Sequence, residues 1–194
     1  MSTLLARVWL KLWRWRAVDV GEAVPAKCVM IAAPHTTNWD FPIMLALTKV
    51  LGTRVSFLGK RSLFKGPMGP LMRRFGGVAI DRSAPGGMVA ALAAEFGRHE
   101  QLVLMIPAEG TRSKTEYWKS GFYRIAEQAQ VPIMLAFVDR NTRTGGFGPS
   151  IMPSGDMLAD MDKIRAFYDG KEGLKRGRFG PIRLKEEAAQ PPAA

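Results

Sequence analysis

Cysteine is almost absent: Cys28 is the only one among 194 residues. An internal disulfide is therefore excluded, and with it the stapled scaffold of small secreted domains. Set in the run Cys28-Val29-Met30-Ile31, that thiol reads as a small core residue and not as a nucleophile. Histidine is nearly as scarce, with only two, His35 and His99. No His/Cys/Asp cluster has metal-ligand spacing, so no metal is expected. Long apolar runs are missing as well. None reaches the roughly 20 residues that a spanning helix needs. The N-terminus interleaves basic and apolar residues, whereas a signal peptide places its basic residues first. The expectation is a chain in the cytosol or peripheral on the cytoplasmic side of a membrane. Acid is the last shortage: 17 Asp+Glu against 28 Lys+Arg leave a net charge of +11. That excess favours phosphates, nucleic acid or an acidic membrane surface as partners, and charge alone does not choose among them.

What is present alternates between strand and helix patterns. Residues 3–18 read as an amphipathic helix with Leu4, Leu5, Val8, Trp9, Leu12 and Trp13 on one stripe and Arg7, Lys11 and Arg14 on another. Trp and Leu opposite Arg and Lys suits a helix lying in the bilayer interface; a helix packed on the domain with a solvated basic edge has the same pattern. Buried strands are expected at 28–33, 55–58, 78–80, 102–106 and 133–138. Helices are expected at 41–51, 85–96, 121–130 and 156–168, the last capped by Asp156. Residues 60–75 are basic and broken by Gly and Pro, Gly145-Gly146-Phe147-Gly148-Pro149 marks a turn, and a short strand follows at 150–152. The fold class that results is α/β, a single three-layer domain with a central, mostly parallel or mixed β-sheet flanked by helices and an N-terminal amphipathic helix. Its parts are a membrane-interface helix at 1–20, a catalytic-type domain at 21–170, and a basic, poorly ordered tail at 171–194.

Two motifs follow strand-like runs, Pro34-His35-Thr36-Thr37-Asn38-Trp39-Asp40 and Glu109-Gly110-Thr111-Arg112-Ser113. Strand ends are where an α/β sheet keeps its ligand site. With His35 in the loop and Asp40 in the first helical turn the two side chains converge, and a histidine backed by a carboxylate is a general base. Thr37-x-x-Asp40 fits a helix-capping pattern equally well, with Asp40 on backbone N–H groups and His35 an ordinary loop residue. No serine-hydrolase elbow is present at Ser113 or Ser120, so a base here would have to activate water or a substrate hydroxyl. Arg82 and Arg112 both come just past strands and suit phosphate recognition; Asp81-Arg82 and Glu109-Arg112 also suit structural ion pairs.

The order of these motifs resembles the glycerolipid acyltransferases of PlsC type. His35-Thr-Thr-Asn-Trp-Asp40 is similar to that family's H-x-x-x-x-D block, Gly77-Val-Ala-Ile-Asp-Arg82 to its G-x-x-x-D-R block, Glu109-Gly-Thr-Arg-Ser113 to its E-G-T-R-S block and Val131-Pro132-Ile133 to its fourth. The likeness runs from His35 to about Phe137. Pro34 stands where the family commonly has Asn, Ala108 separates Pro107 from Glu109, and Leu135 replaces a second proline. The resemblance implies transfer of an acyl group to a lysolipid hydroxyl in phospholipid biosynthesis, with His35 as base and Asp40 orienting it. Lys60, Arg82, Glu109, Gly110, Thr111 and Arg112 would hold the acceptor, 1-acylglycerol-3-phosphate first among candidates. Acyl-CoA or acyl carrier protein would bring the acyl group as co-substrate, with no other cofactor. Trp9, Trp13, Arg7, Lys11 and Arg14 would contact an anionic membrane. Amino-lipid or glycolipid acceptors are the nearest alternative, and a thioesterase would turn the same base on water. A basic nucleic-acid-binding protein is the alternative of a different class, and the absence of a recognition motif counts against it.

Overall fold

The computed structural model describes residues 2–19, 22–60, 64–80 and 87–189. In chain order the elements are α1 (Thr3–Leu12), β1 (Arg16–Asp19), β2 (Lys27–Ala33), α2 (Asp40–Val50), β3 (Ser56–Lys60), α3 (Met68–Arg74), β4 (Gly77–Ile80), α4 (Gly87–Arg98), β5 (Leu102–Ile106), α5 (Gly121–Ala129), β6 (Ile133–Asp139), β7 (Thr144–Ile151) and α6 (Met157–Tyr168). One seven-stranded sheet takes the order β1-β7-β6-β2-β5-β3-β4. Its pairings are parallel except β6 with β7, so the sheet is mixed, as expected.

The central strands are apolar on both sides because both sides are covered. Along β2, Cys28 and Met30 face α1 and α2 and join Ala6, Leu10, Ile43 and Leu47 in one buried cluster. The alternate residues Val29, Ile31 and Ala33 join Leu92, Phe96, Phe122, Tyr123 and Ile164 from α4, α5 and α6 in a second. Each fully buried side chain of this size stabilises the fold by roughly 1.5–3 kcal/mol relative to exposure. Cys28 is a core residue as expected, and burial pushes its thiol up to about 12. Asp156 caps α6 through Oδ1, which accepts the Leu158 and Ala159 N–H groups, both at 3.1 Å.

Four local expectations are corrected. The N-terminal helix stops at Leu12, not Val18. Arg14 adopts φ 59°, its N–H bonds Lys11 O at 3.0 Å and that of Trp15 bonds Leu10 O at 2.8 Å, which is a Schellman ending. Residues 16–19 then form β1, parallel to β7. Gly145 and Gly146 lie inside β7 rather than in a turn. A Cβ on Gly146 would overlap Val18 O, so glycine here admits the neighbouring β1 backbone. Helix α3 occupies part of the segment expected to be irregular. Finally, residues 171–189 are packed on the domain. Leu184 is fully buried and bridges Trp118, whose N–H bonds Arg183 O at 2.8 Å.

Candidate active site

Strands β2 and β5 are adjacent and parallel, with Ile31 opposite Ile106. The chains leaving their carboxyl ends therefore emerge side by side, the first carrying residues 34–39 and the second residues 107–113. Lys60 closes β3 on that same edge of the sheet. Arg82 lies outside the described residues.

Asp40 begins α2 and is buried. Its Oδ2 accepts the Thr36 N–H at 2.6 Å and the Thr37 N–H at 2.8 Å, and Oδ1 accepts the Thr37 hydroxyl at 3.1 Å. The same Oδ2 lies 3.1 Å from His35 Nδ1. Binding of backbone N–H groups and orientation of the histidine, which the spacing left as alternatives, are thus both done by one carboxylate, although the N–H groups belong to the loop before α2. A ring whose Nδ1 is held by a carboxylate presents Nε2 as its remaining nitrogen, the usual arrangement of a general base.

Glu109 is buried directly behind this loop. Its Oε1 accepts the backbone N–H of His35 at 2.7 Å. Its Oε2 is buried without a hydrogen-bond partner among the described residues. Burial raises the Glu109 carboxyl to about 7, against the opposing effect of the bond from His35. Arg112 does not pair with Glu109; its Nη1 donates to the side-chain oxygen of Asn38. The two motifs are therefore interlocked twice, Glu109 to the His35 backbone and Arg112 to Asn38. Neither contact is the Glu109–Arg112 ion pair that the sequence also allowed.

Over this junction lies a cavity of about 450 Å³ lined by His35, Pro107, Gly110, Thr111, Arg112, Ser113 and Arg178. A larger one, about 570 Å³, sits between α6 and the C-terminal segment, lined by Arg165, Lys171 and Arg183 among others and not by His35. Asn38 and Arg178 escaped the sequence reading. Asn38 lies inside the His35–Asp40 motif, while Arg178 lies in the basic run Lys175-Arg176-Gly177-Arg178, whose composition is that of a solvated tail.

Of the residues expected at a membrane, Arg7, Lys11, Arg14 and Trp13 are exposed and Trp9 is half-buried. Helix α1 buries only Ala6 and Leu10 against the domain, leaving Leu4, Leu5, Val8 and Leu12 in solvent. Trp13 continues the apolar surface to exposed Trp39 of the loop that carries His35, ring centroids 6.1 Å apart. Among the described residues no helix is long and apolar enough to cross a membrane. No group of three or more His, Cys, Asp or Glu side chains among them is arranged to hold a metal ion.

A family model described as Acyltransferase matches residues 17–136, more than half of the chain. The protein belongs to the acyltransferase family and is an acyltransferase. Among solved structures, the crystal structure of the 1-acyl-sn-glycerophosphate (LPA) acyltransferase, PlsC, from Thermotoga maritima is similar, with a TM-score of 0.58 at 16% identity. That likeness, which is one of fold, covers 84% of this chain and 72% of the Thermotoga chain. No curated protein sequence matches.

Proposed function

We propose that this protein moves a fatty acyl group from a thioester to the hydroxyl of a lysolipid, with 1-acylglycerol-3-phosphate as acceptor. The observation that carries this reading is the His35–Asp40 pair at 3.1 Å, set on the cavity that Arg112 also lines. In the proposed step, His35 Nε2 takes the proton of the acceptor hydroxyl as its oxygen bonds the thioester carbonyl carbon. The tetrahedral adduct then expels the sulfur, the C–S bond breaks, and the imidazolium returns its proton to the departing thiolate. Asp40 holds the ring and stabilises its charged form. No enzyme nucleophile is required, because the thioester is already activated and the second substrate brings its own oxygen. Acyl-CoA or acyl carrier protein supplies the thioester.

Lys60, Arg82, Glu109, Gly110, Thr111 and Arg112 belong to the acceptor side in this proposal. Glu109 acts there by holding the His35 backbone, and Arg112 by presenting a guanidinium to phosphate. The exposed apolar face of α1, continued by Trp39 and bordered by Arg7, Lys11 and Arg14, rests on the anionic surface where such acceptors reside. Release of free thiol from long-chain acyl-CoA tests the reading, measured with and without lysophosphatidic acid for the native chain and His35→Ala. Acceptor-dependent release that falls about a thousandfold or more in the variant is expected, the scale of a lost general base and its orientation. Equal rates in the two proteins would remove His35 from the mechanism, and acceptor-independent release would mark a thioesterase.

A further inference from the structure

The segment after α6 lies over the catalytic edge of the sheet. Glu172 donates its N–H to Asp139 Oδ1 at 3.1 Å and accepts the Arg140 N–H at 2.9 Å, fixing the segment to the end of β6. Lys175 then donates its N–H to Thr36 Oγ1 at 3.1 Å, in the loop that carries His35. Gly173 is buried against the same Thr36 so closely that a Cβ would overlap the threonine side chain. Gly177 donates its N–H to Glu172 Oε1 at 3.3 Å, folding the segment back on itself. The next residue, Arg178, is brought over the cavity, half-buried, with Nη1 3.5 Å from the Arg112 carbonyl oxygen. Its neighbours Lys175 and Arg176 are exposed.

Among the described residues, the lining of that cavity holds two guanidiniums, Arg112 and Arg178, together with His35 and no carboxylate. Of the described acids, Asp40 and Glu109 lie nearest, buried behind the loop and engaged with its N–H groups. An arginine has five N–H donors, so the bond to the Arg112 carbonyl leaves Arg178 with donors to spare. Paired guanidiniums at a partly enclosed site favour a phosphate group, which accepts several charge-assisted bonds at once.

We infer that Arg178 is a substrate-binding residue of the acyl-transfer site, paired with Arg112 in holding a phosphate group of a substrate. It is contributed by a segment beyond the residues 17–136 that the family model matches. The inference rests on the cavity being the acyl-transfer site proposed above. A phosphate group occurs on a phosphorylated acceptor and on the nucleotide of a CoA donor, and the test separates them.

Binding of glycerol 3-phosphate and of adenosine 3′,5′-bisphosphate to the full chain is measured by calorimetry for the native protein, Arg178→Gln, Arg178→Lys and Arg176→Gln. Arg178→Gln is expected to weaken one probe about tenfold or more, the effect of one charged hydrogen-bonding partner. Arg178→Lys should recover part of the loss and exposed Arg176→Gln should bind as the native chain does. Weakening of glycerol 3-phosphate alone assigns the acceptor, of the bisphosphate alone the donor, and of both a shared phosphate site. Native binding of neither probe, or equal binding by native protein and Arg178→Gln, overturns the inference. Because the readout is binding, the absence of His35-dependent thiol release would count against the acyl-transfer reading and leave this result to stand separately.

Discussion

Glu109 holds a proton that the unfolded chain would release. Burial raises its carboxyl from 4.5 to about 7, so between those values the native state binds more protons than the unfolded one. Stability must therefore fall as pH rises from 4.5 to about 7 and level off above. At roughly 1.4 kcal/mol per unit the loss is on the order of 3 kcal/mol. Asp139 and Asp160, lowered from 3.8, and Glu186, lowered from 4.5, act with the opposite sign and toward the acid end, so the decline belongs to the upper part of this window. Urea midpoints measured from pH 4.5 to 8 should decline for the native chain and stay flat for Glu109→Gln. A native-like decline in the variant would assign the effect to another group. At this scale much of the candidate site's placement was legible. His35, Asp40, Glu109 and Arg112 carry their chemistry in residue type, and their motifs follow apolar runs that had to be strands. What spacing left open was the division of labour, because one carboxylate oxygen serves two backbone N–H groups and an imidazole together. Arg178 was hidden because nothing local marks a loop arginine as folded back onto a site 66 residues away.

Elements defined by buried periodicity were easier to read than those shaped by backbone approach. β5 matches its expected limits, and β2 and β6 differ by a single residue at one end, since apolar runs on both faces admit no other place in an α/β sheet. Helix α1 was overextended because its αL ending uses Arg14 where a glycine would have marked the stop. Gly145-Gly146 was misplaced for the converse reason: glycine serves close strand packing as well as turns. What α1 does with its exposed stripe is a question of the element as a whole. Ala6 and Leu10, with half-buried Trp9 beside them, anchor it to the domain, so exposed Leu5 and Leu12 contribute little to folding and much to any bilayer contact. The double change Leu5→Glu with Leu12→Glu should lower flotation with vesicles of mixed phosphatidylcholine and phosphatidylglycerol at least tenfold, from lost apolar burial. Its thermal midpoint should stay within a degree or two of native. Undiminished flotation would remove the α1 stripe from any role in lipid contact.

At the scale of the whole molecule, the C-terminal segment joins parts of the fold that the sheet alone does not connect. Composition made it look like a solvated tail, because its basic residues and glycines outnumber its apolar ones and its anchors are single residues without a period. Phe179 packs on Trp118, ring centroids 6.2 Å apart, and Trp118 packs on Tyr168 at 5.6 Å. The Tyr168 hydroxyl donates to Ala136 O at 2.9 Å, so the chain of contacts runs from the segment through the core to β6. Leu184 closes this cluster and has no exposed surface. If the segment is one cooperative unit with the domain, Leu184→Ala must destabilise the whole protein as a core substitution does, by about 2–5 kcal/mol. It should also shift the transitions seen by tryptophan fluorescence and by far-ultraviolet dichroism together, as two-state behaviour requires. Loss of the fluorescence transition alone would mean that the segment unfolds first and the sheet stands without it. Because Gly173 and Lys175 brace the loop of His35 from this same segment, that outcome would also predict acyl transfer failing at lower denaturant than the sheet does. Coincident loss of structure and activity is the result expected here.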